Sequence, residues 1–356
     1  VEALAFGTLT TPDGAGRREV ELVRLQSSAI AVSIVTLGAT LHAVEAPDRD
    51  GRVEPICLSL PTADELADRT RNPYLGATCG RWANRIAGAR YEVDGRTVEL
   101  PANDGDAHLH GGPDGFSWRI WDLVAATPGD DGGTVVLALH SPDGDQGHPG
   151  AVDVTATYEL HGHVLRIAYE ATTDAPTAFG LTNHAYWNLA GPAAWEIERS
   201  VGDHELRVPS ASVLPADERS LPAGPLSSVE PLLLDLRHGP PLLEVLDHHP
   251  AGLDHSYAVE AGPDPDHDPA TGAAGVHLAA ELHHPPTGRT LTVATDQPAI
   301  HVYTGNHLAA PFARQAGTCL EAQRFPDAPN RPGLGDAVLR PGEHYRSMTE
   351  LTFGVR

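Results

Sequence analysis

The sequence predicts an all-β fold in one large antiparallel domain covering residues 1–356. Three observations predict it. Apolar and polar residues alternate with period two in many segments, turn signals recur at short intervals, and helix signals are few. A large all-β domain can use a chain of 356 residues, although length alone would also suit two domains of ~150 residues. No composition break and no fixed-period repeat divides the sequence.

In chain order, residues 29–35 are the first strand candidate, and Pro47-Asp48-Arg49-Asp50-Gly51 is a turn. Thr62-Ala63-Asp64-Glu65 has the form of a capping box opening a short helix through about Asp68, with a polar turn as the competing reading. Asp94-Gly95 marks a further turn, residues 134–140 a strand, and Pro142-Asp143-Gly144 the turn after it. Strict alternation over residues 152–160 is interrupted by His161-Gly162-His163 and resumes through Leu165, Ile167, Tyr169 and Ala171. That pattern is a hairpin with one wet face. A second hairpin runs over 276–282, turns at Pro285-Pro286-Thr287-Gly288 and returns through Leu291 and Val293. Residues 299–303 form the last strand candidate, and the acidic Pro, Gly and Ala-rich stretch 261–275 is read as a surface loop.

Composition narrows the function. An apolar content of 41% supplies a full core, and Gly plus Pro, at 36 and 31 residues, make the chain loop-rich without low complexity. The formal net charge of −24 repels phosphate backbones and anionic membranes, so no nucleic-acid or membrane partner is expected. A neutral or cationic small molecule fits better. Every basic residue is arginine, which excludes a Schiff-base lysine, a pyridoxal-phosphate enzyme and a P-loop lysine. Cys57, Cys79 and Cys319 are odd in number and form no C-x-x-C, so neither a disulfide framework nor a thiolate zinc site is suggested, and a reducing, cytoplasmic compartment is expected. No apolar run approaches the ~18 residues of a membrane span. The chain starts at Val1, and nothing is concluded from that.

The 20 histidines invite a metal reading, with close pairs at His108/His110, His161/His163, His248/His249 and His283/His284. Metal needs three or four converging ligands. The His161/His163 pair flanks a hairpin turn and the adjacent pairs sit beside prolines, so solvated loop histidines and no metal are expected.

Four clusters pack polar groups among Gly, Asn and aromatic residues. They are the stretches from Gly80 to Gly88, His108 to Gly112, Leu181 to Gly191 and Cys319 to Asp327. Within and between them stand Asn84-Arg85-Ile86-Ala87, Leu109-His110-Gly111-Gly112, Ser141-Pro142-Asp143-Gly144, Thr182-Asn183-His184 and Asn188-Leu189-Ala190-Gly191. Further on come Leu253-Asp254-His255, Tyr303-Thr304-Gly305-Asn306, Leu320-Glu321, Phe325-Pro326-Asp327 and Leu339-Arg340-Pro341-Gly342-Glu343. In this order and spacing the set resembles the aldose 1-epimerases, or galactose mutarotases, from about Phe6 to Val355.

The resemblance implies a single large β-sandwich with an open sugar cleft. It implies interconversion of the α and β anomers of a free aldose, with galactose and glucose as the expected sugars and no cofactor. By the match Glu321 is the base that takes the C1 hydroxyl proton, and His184 is the acid that protonates the ring oxygen. Reference pKa values of ~4.3 for Glu and ~6.5 for His suit that division near neutrality. Asn84, Arg85, His110 and Asp254 match sugar-binding positions. Their donors and acceptors suit an uncharged polyhydroxylated ligand. Tyr186, two residues after His184, is placed at the edge of the cleft, with core packing as the alternative.

Three positions depart from the family pattern. His301 stands where many members carry Gln; both hydrogen-bond, but His titrates, so sugar preference and pH profile are the properties it puts in question. Trp187 replaces a common Phe, and Trp82 replaces a smaller apolar residue, lining either the cleft or the core. Three other functions stay open at this point. An inverting glycoside hydrolase would use Glu321 and Asp254 as carboxylates ~6.5–9.5 Å apart. A non-catalytic sugar sensor and a sugar-phosphate epimerase with a cationic phosphate pocket are the others. A monomer and a homodimer are equally compatible with the sequence.

Overall fold

The computed structural model describes residues 1–10, 16–260 and 275–356. The loop expected over 261–275 lies, except for Gly275, outside the described residues. Strands dominate, as the alternation predicts. Val152–His161 buries Val152, Val154, Ala156, Tyr158 and Leu160 on one face. It pairs with Val164–Thr173 from Val152↔Thr173 to His161↔Val164. The loop between them is two residues long, and its first residue, Gly162, has φ +56°, a conformation that an L side chain resists. The second hairpin joins His277–His283 to Arg289–Thr295, and Ala299–Tyr303 forms as expected. Thr62 caps the short helix Ala63–Ala67: its hydroxyl oxygen accepts from the Glu65 N–H at 3.2 Å and the hydroxyl donates to the Glu65 carboxylate at 2.9 Å.

Three larger antiparallel sheets are built from these strands. Five N-terminal strands run in sequence from Glu2–Thr10 to Val53–Pro55. An eight-stranded sheet places the terminal strand Tyr345–Val355 at its centre, between Val164–Thr173 and Arg289–Thr295. A six-stranded sheet takes Tyr186–Trp187, Thr318–Gln323, Ala299–Tyr303 and Asp254–Ala258 in that spatial order. One apolar cluster joins all three; Val32, Val154, Leu291, Ile300 and Leu320 belong to it. None of the described helices is long and apolar enough to cross a membrane.

The histidines correct one expectation. His108, His148, His204 and His284 are buried and bonded rather than solvated. The Tyr91 hydroxyl accepts from the Ala178 N–H at 3.2 Å and faces His148 Nδ1 at 3.3 Å. His148 Nε2 faces His108 Nε2 at 3.4 Å, and His108 Nδ1 donates to the Pro101 carbonyl at 2.8 Å. His204 Nε2 accepts from the Leu189 N–H at 2.9 Å. Such rings serve the fold as neutral acceptors. Burial, reinforced by His284, pushes His204 down to about 3. Burial, with His108 and Arg81 nearby, holds His148 well below the usual histidine range.

Acid should therefore destabilise the protein. The unfolded rings take up protons below ~6.5 while the folded ones do not, so the unfolded state binds more protons and stability falls with pH. At pH 5 His204 costs about 2 kcal/mol relative to pH 8, and His148 acts in the same direction. Urea midpoints should fall steadily between pH 7 and pH 5; a constant midpoint would contradict this account.

Candidate active site

Strand alternation builds the floor of one cleft. In Ala299–Tyr303, Ile300 and Val302 enter the core, which leaves His301 and Tyr303 on the opposite face. In Thr318–Gln323, Leu320 and Ala322 enter the core, leaving Cys319 and Glu321 opposite. Register aligns these residues into rows across the sheet. Asp254, Tyr303, Cys319 and Tyr186 are successive partners in one row; Ser256, His301 and Glu321 form the next. Direct cross-strand partners stand within side-chain reach.

The rim comes from irregular backbone. Arg85 opens the two-residue strand Arg85–Ile86, which pairs with His108–Leu109. Asn84 and His110 flank this ribbon in left-handed backbone, with φ +65° and +51°. The Asn84 N–H donates to His110 Nδ1, and the His110 N–H returns to the Asn84 carbonyl, both at 3.2 Å. Gly111 lies so close to Gly80 that a Cβ would stand 1.7 Å from the Gly80 carbonyl oxygen, so no larger residue fits there. His184 lies between the strands Thr182–Asn183 and Tyr186–Trp187. Its N–H donates to Ala77 and its carbonyl accepts from Gly76, each at 2.9 Å, which fixes the ring over the cleft.

All eight residues singled out from the sequence line this cavity of about 250 Å³. Glu321 and His184 face each other, with Oε1 and Nε2 3.7 Å apart. Glu321 is buried, and its Oε2 has no hydrogen-bond partner among the described residues. Burial, then the charges of His184, Arg85 and His301, hold His110 well below the usual histidine range, so it is neutral. Its Nδ1 accepts from Asn84, so the proton sits on Nε2 and His110 is a hydrogen-bond donor. Arg85 Nε holds Asp104 at 2.7 Å, and its Nη1 lies 3.6 Å from Asp254. Burial alone would raise the Asp254 carboxyl, but the His301 hydrogen bond and the charges of His301 and Arg85 outweigh it and hold Asp254 well below the carboxylate range.

Some sequence expectations are refined. Tyr186 satisfies both alternatives: its ring packs in the core, its hydroxyl donates to the Pro73 carbonyl at 3.2 Å, and one edge meets the cleft. Asn84 braces the rim through its backbone, and its side-chain oxygen accepts from the Arg85 N–H at 2.8 Å. His301 lines the cleft, yet both ring nitrogens are engaged by protein groups, Nε2 with Asp254 at 2.7 Å and Nδ1 with Ser256 at 2.8 Å. Trp82 is fully buried in a separate apolar cluster and does not line the cleft.

Sequence reasoning missed Tyr74, whose ring packs 4.8 Å from His110 and 5.9 Å from His184. It also missed Asp104, which anchors Arg85, and it left Tyr303 unassigned although the Tyr303-Thr304-Gly305-Asn306 stretch had been singled out. Tyr303 could have been found from its strand, since it alternates with Val302 as His301 does.

His110, His184 and Glu321 bring one possible ligand atom each within 4.8 Å of one another. The set is ill suited to a cation: the Asn84 N–H occupies Nδ1 of His110, so the nitrogen facing the cleft carries a hydrogen instead of a lone pair. A larger hollow of about 420 Å³ lies elsewhere, beside Trp118. Its Arg18, Arg69 and Arg119 are ion-paired with Asp122, Asp114 and Asp145, and among the described residues its lining holds no acid–base pair.

Comparison with known proteins gives a consistent picture. A family model described as aldose 1-epimerase matches residues 21–352. The galactose mutarotase of Homo sapiens is 36% identical, with 100% of this chain and 99% of that protein aligned. The aldose 1-epimerase of Escherichia coli K12 is 35% identical over 96% of each chain. Among solved structures, a GalM/aldose epimerase homologue from C. elegans matches with a TM-score of 0.83 at 27% identity, covering 94% of this chain and 99% of that one. Galactose 1-epimerase from Lactobacillus acidophilus NCFM matches with a TM-score of 0.82 at 28% identity, covering 99% and 98%.

Proposed function

Because this chain belongs to the aldose 1-epimerase family and interconverts the anomers of free aldoses, we propose that Glu321 is its base, His184 its acid, and D-galactose or D-glucose its substrate. The antiparallel β-sandwich is of the galactose mutarotase type. The observation that carries the assignment is the 3.7 Å approach of His184 Nε2 to Glu321 Oε1 in a cleft where Glu321 Oε2 has no protein partner. The two oxygens that exchange protons, the C1 hydroxyl and the ring oxygen, are bonded to one carbon. A base and an acid that serve them must therefore stand side by side.

Glu321 takes the C1 hydroxyl proton while His184 gives its proton to the ring oxygen. The C1–ring oxygen bond breaks and leaves an aldehyde at C1 and a hydroxyl at C5. Rotation about the C1–C2 bond presents the other face of the aldehyde. On closure the C5 hydroxyl oxygen attacks C1, His184 recovers its proton from that hydroxyl, and Glu321 returns its proton to the former aldehyde oxygen. Atoms and charges balance over the cycle. Proton transfer of this kind contributes ~10²–10⁴-fold. Holding the open chain in place contributes further. Neutral His110 donates to the ring oxygen or a neighbouring hydroxyl, and Asp254 and Arg85 bind hydroxyls at the far side of the ring.

The geometry argues against the other readings. A glycosidase acid must keep its proton near neutrality. Asp254 cannot be that acid, since it is held ionised between His301 and Arg85, and the same two partners occupy it against service as a water-activating base. A sugar phosphate needs an unpaired cation, and Arg85, the arginine of the cleft lining, is committed to Asp104 and Asp254.

Polarimetry of freshly dissolved α-D-galactose and α-D-glucose tests the proposal. The protein should speed the approach to equilibrium rotation for at least one of them. A folded protein that leaves both at the uncatalysed rate would refute the substrate assignment.

A further inference from the structure

His301 does more than line the cleft. It is buried, its Nε2 donates to Asp254 Oδ1 at 2.7 Å, and its Nδ1 meets the Ser256 hydroxyl at 2.8 Å. Asp254 is ionised and can only accept, so Nε2 carries a hydrogen in every protonation state of the ring. The Ser256 hydroxyl on Nδ1 holds the ring from its other side, so the imidazole is fixed between two partners.

We propose that His301 is a positioning residue that orients Asp254 for the sugar hydroxyls. The proposal rests on the assignment of Asp254 as a sugar ligand. The mechanism is local. The His301 N–H fixes one carboxylate oxygen and leaves the other, 3.6 Å from Arg85, to hydroxyl donors.

Asp254, Ser256 and His255 face His301 from the strand Asp254–Ala258. Glu321 is its partner on Thr318–Gln323, and Arg85 and His110 act from the rim. Loss of Glu321 should fall on kcat, whereas loss of His301 should fall on KM.

The test is the measurement of KM and kcat for mutarotation at pH 7.5 in the parent, His301→Gln, His301→Leu and Asp254→Asn. Gln keeps an N–H for Asp254 and a carbonyl for Ser256, so His301→Gln should hold KM within about threefold of the parent. His301→Leu should raise KM about tenfold at pH 7.5 with little change in kcat, because it strands a charged carboxylate without its donor. A KM unchanged in the Leu variant, or a Gln variant whose KM rises tenfold or more, overturns the proposal; if the Leu variant does not fold, the Gln variant decides alone. Asp254→Asn separates the levels. If it raises KM while both His301 variants match the parent, only the role of His301 is wrong. If it leaves KM unchanged, the sugar-binding assignment fails and takes this proposal with it.

Discussion

Glu321→Gln should lower kcat for mutarotation by about 10³-fold while leaving the protein folded and KM within a few-fold of the parent. The substitution keeps shape and volume, so it removes the base without opening a cavity. Glu321 is buried, 3.7 Å from the acid, and one of its oxygens has no protein partner. That oxygen is free to take a proton from the substrate, and an amide cannot. Nor can another carboxylate substitute. Asp254 is engaged with His301, and Asp104 with Arg85. Progress curves at saturating sugar measure the loss directly. A variant within tenfold of the parent would mean that Glu321 only binds, and that the proton leaves by another route.

His184→Asn should cost about 10²–10³-fold in kcat, again with a smaller effect on KM. The nearest imidazole, His110, has its ring centroid 5.0 Å away but cannot take over. It is neutral, and its Nδ1 is already an acceptor for Asn84. It can stabilise charge on the ring oxygen but does not supply a proton and take it back. The residual activity should come from that donation and from Glu321. The same polarimetric assay checks the result, with thermal melting to establish that the backbone bonds of residue 184 to Ala77 and Gly76 hold. Equal losses in kcat and in affinity would point to a loosened cleft instead of a missing acid.

Much of the site was legible from the ordered motifs that resemble the aldose 1-epimerases, and strand alternation agrees with them. Once residues 299–303 are a strand with Ile300 and Val302 inside, His301 must look outward, and Glu321 follows from Leu320 in the same way. The capping box and both hairpins were legible for a similar reason, since each is decided by residues close in sequence. What was not legible is set by contacts far apart in the chain. The placement of Tyr345–Val355 at the centre of the largest sheet depends on partners near residues 170 and 290. Tyr74 reaches the cleft from a left-handed backbone with φ +65°, which no periodicity announces. Asp104 is an ordinary turn residue until Arg85, nineteen positions earlier, points at it. The buried histidines look like polar loop residues in one dimension because their partners, such as Leu189 for His204 and Pro101 for His108, are mostly backbone groups.

The strands under the cleft have two sides, and this ties chemistry to cooperativity. Ile300, Val302 and Leu320 belong to the main apolar cluster, while His301, Tyr303 and Glu321 on the same strands line the cleft. Sliding Ala299–Tyr303 by one position would send its apolar set into the cleft and bury its polar set in the core, so the burial that stabilises the molecule also proof-reads the frame of its active face. The floor cannot melt alone without exposing the core, and it therefore belongs to the last unit to open. The rim is held by less: Arg85 sits on a ribbon only two residues long, with His110 just beyond its end. The proposed base, Glu321, thus stands with Asp254 and His301 on the part of the fold that yields last.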